Sequence, residues 1–242
     1  MRTRTTTAGL ALALGGILVA TGSAAATGAA ARHGDEVGTV DAVASSQPTG
    51  AHPTDSDEVV KYRWKDSRRL KADAVATSSA VCDGCSGDAV TLEVVYGWRT
   101  RSATADNVAS AWSSCGMSCG ASALSVQLVV LPRGRTIEAN NRALALNAAC
   151  TECRSVAAAY QVVVAERGAK PLSRAERREL EALVAQLHDQ MQTATSAERF
   201  GRRAAKRQAA RVTRAGLEDL AAFAVDATGG SIERKDADVR VR

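Results

Sequence analysis

The stretch ANNRALALNAACTECRSVAAAYQVVV, residues 139–164, decides how this chain is read. It recurs as ADNVASAWSSCGMSCGASALSVQLVV over residues 105–130. A third, more degenerate copy surrounds Cys82 and Cys85. Aligned on the second cysteine of each pair, Cys85, Cys119 and Cys153 are 34 residues apart. At fixed offsets beyond them come Ala89, Ala123 and Ala157, then Glu93, Gln127 and Gln161, then Val94-Val95, Leu128-Val129 and Val162-Val163. Upstream, Asn107-x-Ala109-x-Ala111 matches Asn141-x-Ala143-x-Ala145, whereas Ala72-x-Ala74-x-Ala76 is about one residue out of step. The middle copy holds one extra residue between its cysteines. Agreement at this many offsets marks an internal repeat.

The helical tetratricopeptide unit has the same length, but the pattern here has period two. Val90, Leu92, Val94 and Tyr96 share one face, as do Leu124, Val126, Leu128 and Val130, and Val156, Ala158, Tyr160, Val162 and Val164. Thr91, Glu93, Ser125 and Gln127 point the other way. Alternation with β-branched residues predicts half-buried strands. Each unit then reads as strand, cysteine-bearing turn, strand. The expected fold is α+β: about six strands in a mostly antiparallel sheet over 59–168, followed by helices. Alanine-rich helices are the alternative reading of the repeat.

Around this block the composition changes. Arg2 and Arg4, the uncharged run Ala8–Ala20 and small residues up to Ala31 have the form of a secretory signal over 1–31. An uncleaved anchor is the alternative. Residues 32–58, rich in Ser, Thr, Pro, Gly and Asp, read as a disordered linker. Downstream, Ser173 and Glu176 form a capping box with Pro171 ahead of it. Leu180, Leu183, Val184, Leu187 and Met191 follow helical spacing over about 174–194. Ser196 caps a second helix to about 225, in which Gly201 and Gly216 mark weak points. The helical region spans 169–228, and 229–242 reads as a frayed tail.

Export places the six cysteines, Cys82, Cys85, Cys115, Cys119, Cys150 and Cys153, in an oxidising compartment and favours disulfides. Six cysteines allow fifteen connectivities. A four-residue loop gains about 2 kcal/mol from closure and a 34-residue loop about 4, yet pairing within each unit needs only turn geometry. Local pairs are therefore expected. Two rival chemistries remain. Thiol–disulfide exchange needs a thiol of lowered pKa, and only Cys153, before Arg154, has a base beside it. Zinc takes four thiolates from two pairs, which leaves two cysteines over.

Other chemistry finds little support. His33 and His52 fall in the linker, and His188 reads as an ordinary helix-surface residue. There is no zinc-protease, nucleophile-elbow or phosphate-loop motif. No catalytic residue, cofactor, resident metal or small-molecule substrate is assigned, and the enzyme reading leans to no. The formal charge is +5, or +3 once Arg2 and Arg4 are removed (29 bases against 26 acids). Arg199, Arg202, Arg203, Lys206, Arg207, Arg211 and Arg214 form an acid-free run, with Arg199, Arg203, Arg207, Arg211 and Arg214 near one helical face. That face suits an anionic envelope polymer, a membrane surface or a protein partner. Nucleic acid is not expected of an exported chain, and a single aromatic, Phe200, in the basic run is no stacking platform. A second basic patch spans Lys61, Arg63, Lys65, Arg68, Arg69 and Lys71, its first three members alternating with Tyr62 and Trp64, as on an edge strand with one charged face.

The motif Asn141-x-Ala143-x-Ala145-x-Asn147, Cys150-x-x-Cys153, Ala157-x-Ala159-x-Gln161 resembles exported domains of actinobacterial proteins labelled peptide zinc metalloprotease proteins. The resemblance covers roughly residues 70–220 and implies an extracytoplasmic module with a charged helical end. The protease activity does not carry over, because this chain has no zinc-protease motif. The expected function is a non-catalytic secreted structural or interaction protein held by disulfides.

Overall fold

A computed structural model of the protein describes residues 37–168, 170–196 and 202–242, with the side chains of 194–196, 202 and 203 left out. The segment read as a signal, Gly201 and Arg199 lie outside the described residues. Among the described residues, nine strands and two helices follow in the order β1 (Val37–Ser46), β2 (Thr54–Lys65), β3 (Arg69–Ala80), β4 (Ser86–Gly97), β5 (Ser102–Ser113), β6 (Gly120–Pro132), β7 (Thr136–Asn147), β8 (Arg154–Glu166), α1 (Arg174–Ser196), α2 (Arg202–Thr228) and β9 (Ser231–Val241).

Odd strands form one sheet, β1-β3-β5-β7, and even strands the other, β2-β4-β6-β8, with β9 added at the end. Every neighbour pair is parallel except β8 with β9. The expectation of a mostly antiparallel sheet is therefore wrong: the chain winds as a parallel-rich β-solenoid of about four coils. One odd strand, one corner, one even strand and a second corner make a coil. From β1 to β8, strands consecutive in sequence face each other across the interior instead of pairing as hairpins. The repeat is the coil itself, so equivalent residues stack: Glu93 pairs with Gln127 and Gln127 with Gln161.

Alanines on both inner faces account for the low aromatic content. Ala72, Ala105 and Ala139 from the odd sheet, and Ala89, Ala123 and Ala157 from the even sheet, are buried in a layer only small side chains can fill. The face of β4, β6 and β8 carrying Glu93, Gln127 and Gln161 turns into this layer, not to solvent, so these strands are buried on both faces. Hydrogen bonds along the stack engage the glutamine amide donors there. Gln127 Nε2 donates to Glu93 Oε2 (2.7 Å) and to the Ala72 carbonyl (3.0 Å). Gln161 Nε2 donates to Gln127 Oε1 (2.7 Å) and the Ala105 carbonyl (2.9 Å). A second ladder joins Asn107 to Asn141 (2.7 Å) and to Ser125 Oγ, which donates to Asn107 Oδ1 (2.6 Å).

The outer face of the even sheet is apolar and takes the helices. Leu92, Leu124, Val126 and Tyr160 pack with Leu180, Val184, Leu187 and Met191 of α1 and with Leu220, Phe223 and Ala224 of α2. The capping box forms as expected, the Glu176 amide donating to Ser173 Oγ (3.3 Å) and Glu176 Oε2 accepting from the Ser173 amide (2.5 Å). Gly216 is no weak point: a Cβ there would overlap Leu187 of α1, so glycine lets the helices close.

Two boundaries need correction. The stretch 32–58, read as a disordered linker, carries β1 and the start of β2. Its small polar residues suffice because the neighbouring coil supplies a template strand. The 229–242 tail, read as frayed, is β9. Its charges suit an edge strand with one side in water, while Ile232, Ala237, Val239 and Val241 pack on the core.

At each end of the coil stack, charged side chains engage some of the edge backbone groups. At the first coil the Ser45 amide donates to Asp57 Oδ2 (2.7 Å), the Gln47 amide to Asp55 Oδ2 (2.6 Å), and Lys61 Nζ to the Asp41 carbonyl. At the last, Asp238 Oδ2 accepts from the Ala143 amide (3.0 Å) beside β9. These side chains occupy backbone groups that would otherwise recruit another strand.

Candidate functional site: a stacked cysteine corner

Each coil turns from its odd to its even strand at one corner. In coils 2, 3 and 4 that corner carries the disulfides Cys82–Cys85, Cys115–Cys119 and Cys150–Cys153. All six predicted cysteines are paired within their own unit. The first corner, between β1 and β2, has prolines 48 and 53 instead and closes through the Thr49–His52 bridge.

The turns share one backbone device. The residue before the second cysteine lies in the left-handed region each time: Gly84 at φ 71°, Ser118 at 58° and Glu152 at 57°. Glycine fits this conformation without cost, whereas Ser118 and Glu152 carry a Cβ against it. The corners also bond to each other. Gly84 donates to the Met117 carbonyl (3.2 Å), Ser118 to Thr151 (2.9 Å), Gly120 to Cys85 (2.9 Å) and Arg154 to Cys119 (3.0 Å).

This stacking converges the sulfurs of coils 3 and 4. Cys119 Sγ lies 3.1 Å from Cys153 and 3.5 Å from Cys150. Cys115 Sγ lies 3.3 Å from Cys153 and 3.6 Å from Cys150. All four sulfurs are within 4.8 Å of one another. Cys82 instead turns its sulfur toward the Pro48 carbonyl at 3.7 Å.

The predicted basic face is only partly visible. Arg207, Arg211 and Arg214 are exposed on α2, joined by Lys206, with no acid before Glu218. The Arg203 side chain, like Arg199, falls outside the described residues. The Lys61 patch does lie on an edge strand, β2, but its residues divide. Lys61 turns toward the interior and stands opposite Glu93 in register. Tyr62 bonds Glu181 of α1 at 3.0 Å and lies under the Arg177 guanidinium, and Trp64 stacks on Tyr96.

Two ionisable groups were not singled out from sequence. Burial pushes the Glu93 carboxyl up to about 7, against the lowering effect of its Gln127 hydrogen bond; Asp73 and Asp41 add to the rise and Lys61 opposes it. Its Oε1 is buried without a partner. His188, read as an ordinary surface residue, is half-buried and meets Asp88 at 2.8 Å. Burial opposes the charged imidazole, but the Asp88 hydrogen bond and charge outweigh it and raise the pKa. The pair is 100 residues apart, so no local motif could show it. Next to it, Asp88, Ser122, Arg154 and Gln192 line a shallow cavity of about 190 Å³. Ser122 Oγ is buried there without a hydrogen-bond partner, so no nucleophile–base contact joins it to His188.

Among the described residues no helix is long and apolar enough to cross a membrane. Comparison with protein-family models, with curated proteins and with solved structures finds no match to this chain.

Proposed function

We propose that the protein is a non-catalytic, extracytoplasmic scaffold whose coils are pinned by disulfides and whose exposed helix carries the contact with its partner. The observation that supports this most is the repetition of the cysteine pair with the coil. The pairs sit at one corner of three successive coils, each closing its own turn. A staple repeated with its scaffold serves the scaffold, whereas an exchange site needs one distinguished thiol. Disulfides of this kind persist in oxidising compartments, in keeping with export.

The small-residue sheet faces are consumed by the interior and offer no surface to a partner. The basic end of α2 remains, with Lys206, Arg207, Arg211 and Arg214 outward. An anionic polymer of the cell envelope is the partner class this surface fits, through long-range attraction that salt screens.

Two measurements test the reading. Alkylation without reductant, followed by intact mass, should find all six cysteines blocked in protein from its native compartment. Two free thiols there would sink the staple reading in favour of exchange. Polyphosphate should bind at low ionic strength and release as salt rises. Replacing Lys206, Arg207, Arg211 and Arg214 together by Gln should weaken it at least tenfold with the circular dichroism unchanged. Undiminished binding would remove α2 as the contact.

A further inference from the structure

The sulfur geometry of coils 3 and 4 carries more than two staples require. A corner that only closes its own turn has no need to aim its sulfurs at the next corner. Here the Cys115–Cys119 and Cys150–Cys153 sulfurs meet at 3.1 to 3.6 Å across coils. A tetrahedral zinc tetrathiolate has Zn–S bonds of about 2.3 Å and hence sulfur–sulfur edges of about 3.8 Å. The four cross-coil distances approach that edge, and breaking the two S–S bonds frees the other two edges to lengthen toward it, all four sulfurs lying within 4.8 Å of one another. Their supporting backbone is fixed by the parallel register of β5 with β7 and β6 with β8 and by the bonds between the two corners. The set mixes a Cys-x-x-x-Cys and a Cys-x-x-Cys turn, two spacings within the range of structural zinc ligands.

We propose that Cys115, Cys119, Cys150 and Cys153 form a four-thiolate site for Zn²⁺, closed while the two disulfides stand and opened by their reduction. A small dithiol reductant supplies the electrons. For each disulfide the reductant's thiolate attacks one sulfur, the S–S bond breaks, and the reductant leaves as its own cyclic disulfide. Two dithiols thus give four cysteine thiols. Zn²⁺ then binds as all four lose their protons, and four protons are released. Two molecules of a small disulfide oxidant reverse the sequence: each takes two electrons and two protons and leaves as its dithiol, the four thiolates re-form the two S–S bonds, and Zn²⁺ is released. Cys82 and Cys85 stand outside the cluster and keep the scaffold role, which makes them an internal control. The site does not depend on the anionic-polymer contact.

The test uses the full chain, reduced with excess dithiol, freed of the reductant under anaerobic conditions and titrated with Co²⁺ and then Zn²⁺ as the metals alone. One equivalent of Co²⁺ per chain should give the visible d–d bands of a tetrahedral tetrathiolate, and Zn²⁺ should displace it one for one. The oxidised chain should bind neither tightly. The Cys82→Ser, Cys85→Ser double variant should retain the site, while Cys119→Ser or Cys150→Ser should weaken zinc at least 100-fold. Circular dichroism before and after metal reports whether reduction loosens the coils. In either case the metal should yield the same tetrahedral spectrum, because ligand binding and local folding are linked. A reduced chain without tetrahedral cobalt bands overturns the proposal, folded or not, and so does tight zinc binding that survives Cys119→Ser. Native protein carrying zinc and no disulfide at coils 3 and 4 would support the site while sinking the staple reading.

Discussion

Replacing Glu93 by Gln should stabilise the protein, and by an amount that depends on pH in a defined way. Glu93 lies inside the two-sheet layer with none of its surface exposed. Burial moves its pKa from 4.5 to about 7. A carboxyl whose pKa is higher folded than unfolded favours the folded state while protonated. That advantage is complete below pH 4.5 and is lost as pH rises through 7. At pH 8 the loss is about 2.5 units at 1.36 kcal/mol each, or about 3 kcal/mol. Glutamine is uncharged throughout and almost isosteric. Its Oε1 can accept the bond Gln127 now gives to Glu93. Its Nε2 would follow the ladder, in which Gln127 donates to the carbonyl of Ala72 and Gln161 to that of Ala105. Val40 is the partner of Ala72 in β1, so its carbonyl is the corresponding acceptor. Urea denaturation of the disulfide-intact protein, followed by far-UV circular dichroism, should show Glu93→Gln more stable by about 2–3 kcal/mol at pH 8 and by less than about 0.5 at pH 4. Groups common to both chains cancel in the difference. A variant less stable than the parent at pH 8, or an advantage that does not change between pH 4 and pH 8, would refute the reasoning.

Two further substitutions probe close backbone geometry. Glu152→Gly places in coil 4 the residue that coil 2 already uses at Gly84, and should stabilise by about 1 kcal/mol in thermal or urea unfolding; a destabilised variant would count against the left-handed turn at φ 57°. Gly216→Ala should lower stability by about 1–3 kcal/mol through overlap with Leu187, although alanine is the better helix former by about 1 kcal/mol. A rise in thermal midpoint would show that α1 and α2 do not close there.

Period-two alternation correctly marked strands but said nothing about which strands pair. A hairpin would put β3 beside β4; the chain puts β3 beside β5. The signal was available in the repeat. When one unit cannot bury its own faces, stacking like on like is the usual solution, and a fixed offset at Glu93, Gln127 and Gln161 describes such a stack. Coil 1 was missed because its register to coil 2 is 32 residues, not 34, and its corner has no cysteine. Yet Asp41-Ala42-Val43-Ala44 returns unchanged as Asp73-Ala74-Val75-Ala76, paired residue for residue. Polar composition concealed it, since strand propensity weighs residues singly and not by the template beside them. The within-unit disulfides were legible because turn spacing alone permits them. The convergence of four sulfurs was not, because it depends on the coil-to-coil rise, which only the parallel register supplies.

The reversed strand β9 makes this molecule a counted object. Parallel coils can in principle be added without limit, since each presents the next with the same template. An antiparallel strand rich in charge terminates that series, as Asp55, Asp57 and Lys61 do at the other end. Growth by duplication is therefore confined to the middle, where an inserted coil meets neighbours like itself and both stoppers keep their partners. Length can vary from within, while end-to-end addition would have to displace Asp238 from the Ala143 amide at one end and Asp55, Asp57 and Lys61 from the backbone beside β1 at the other.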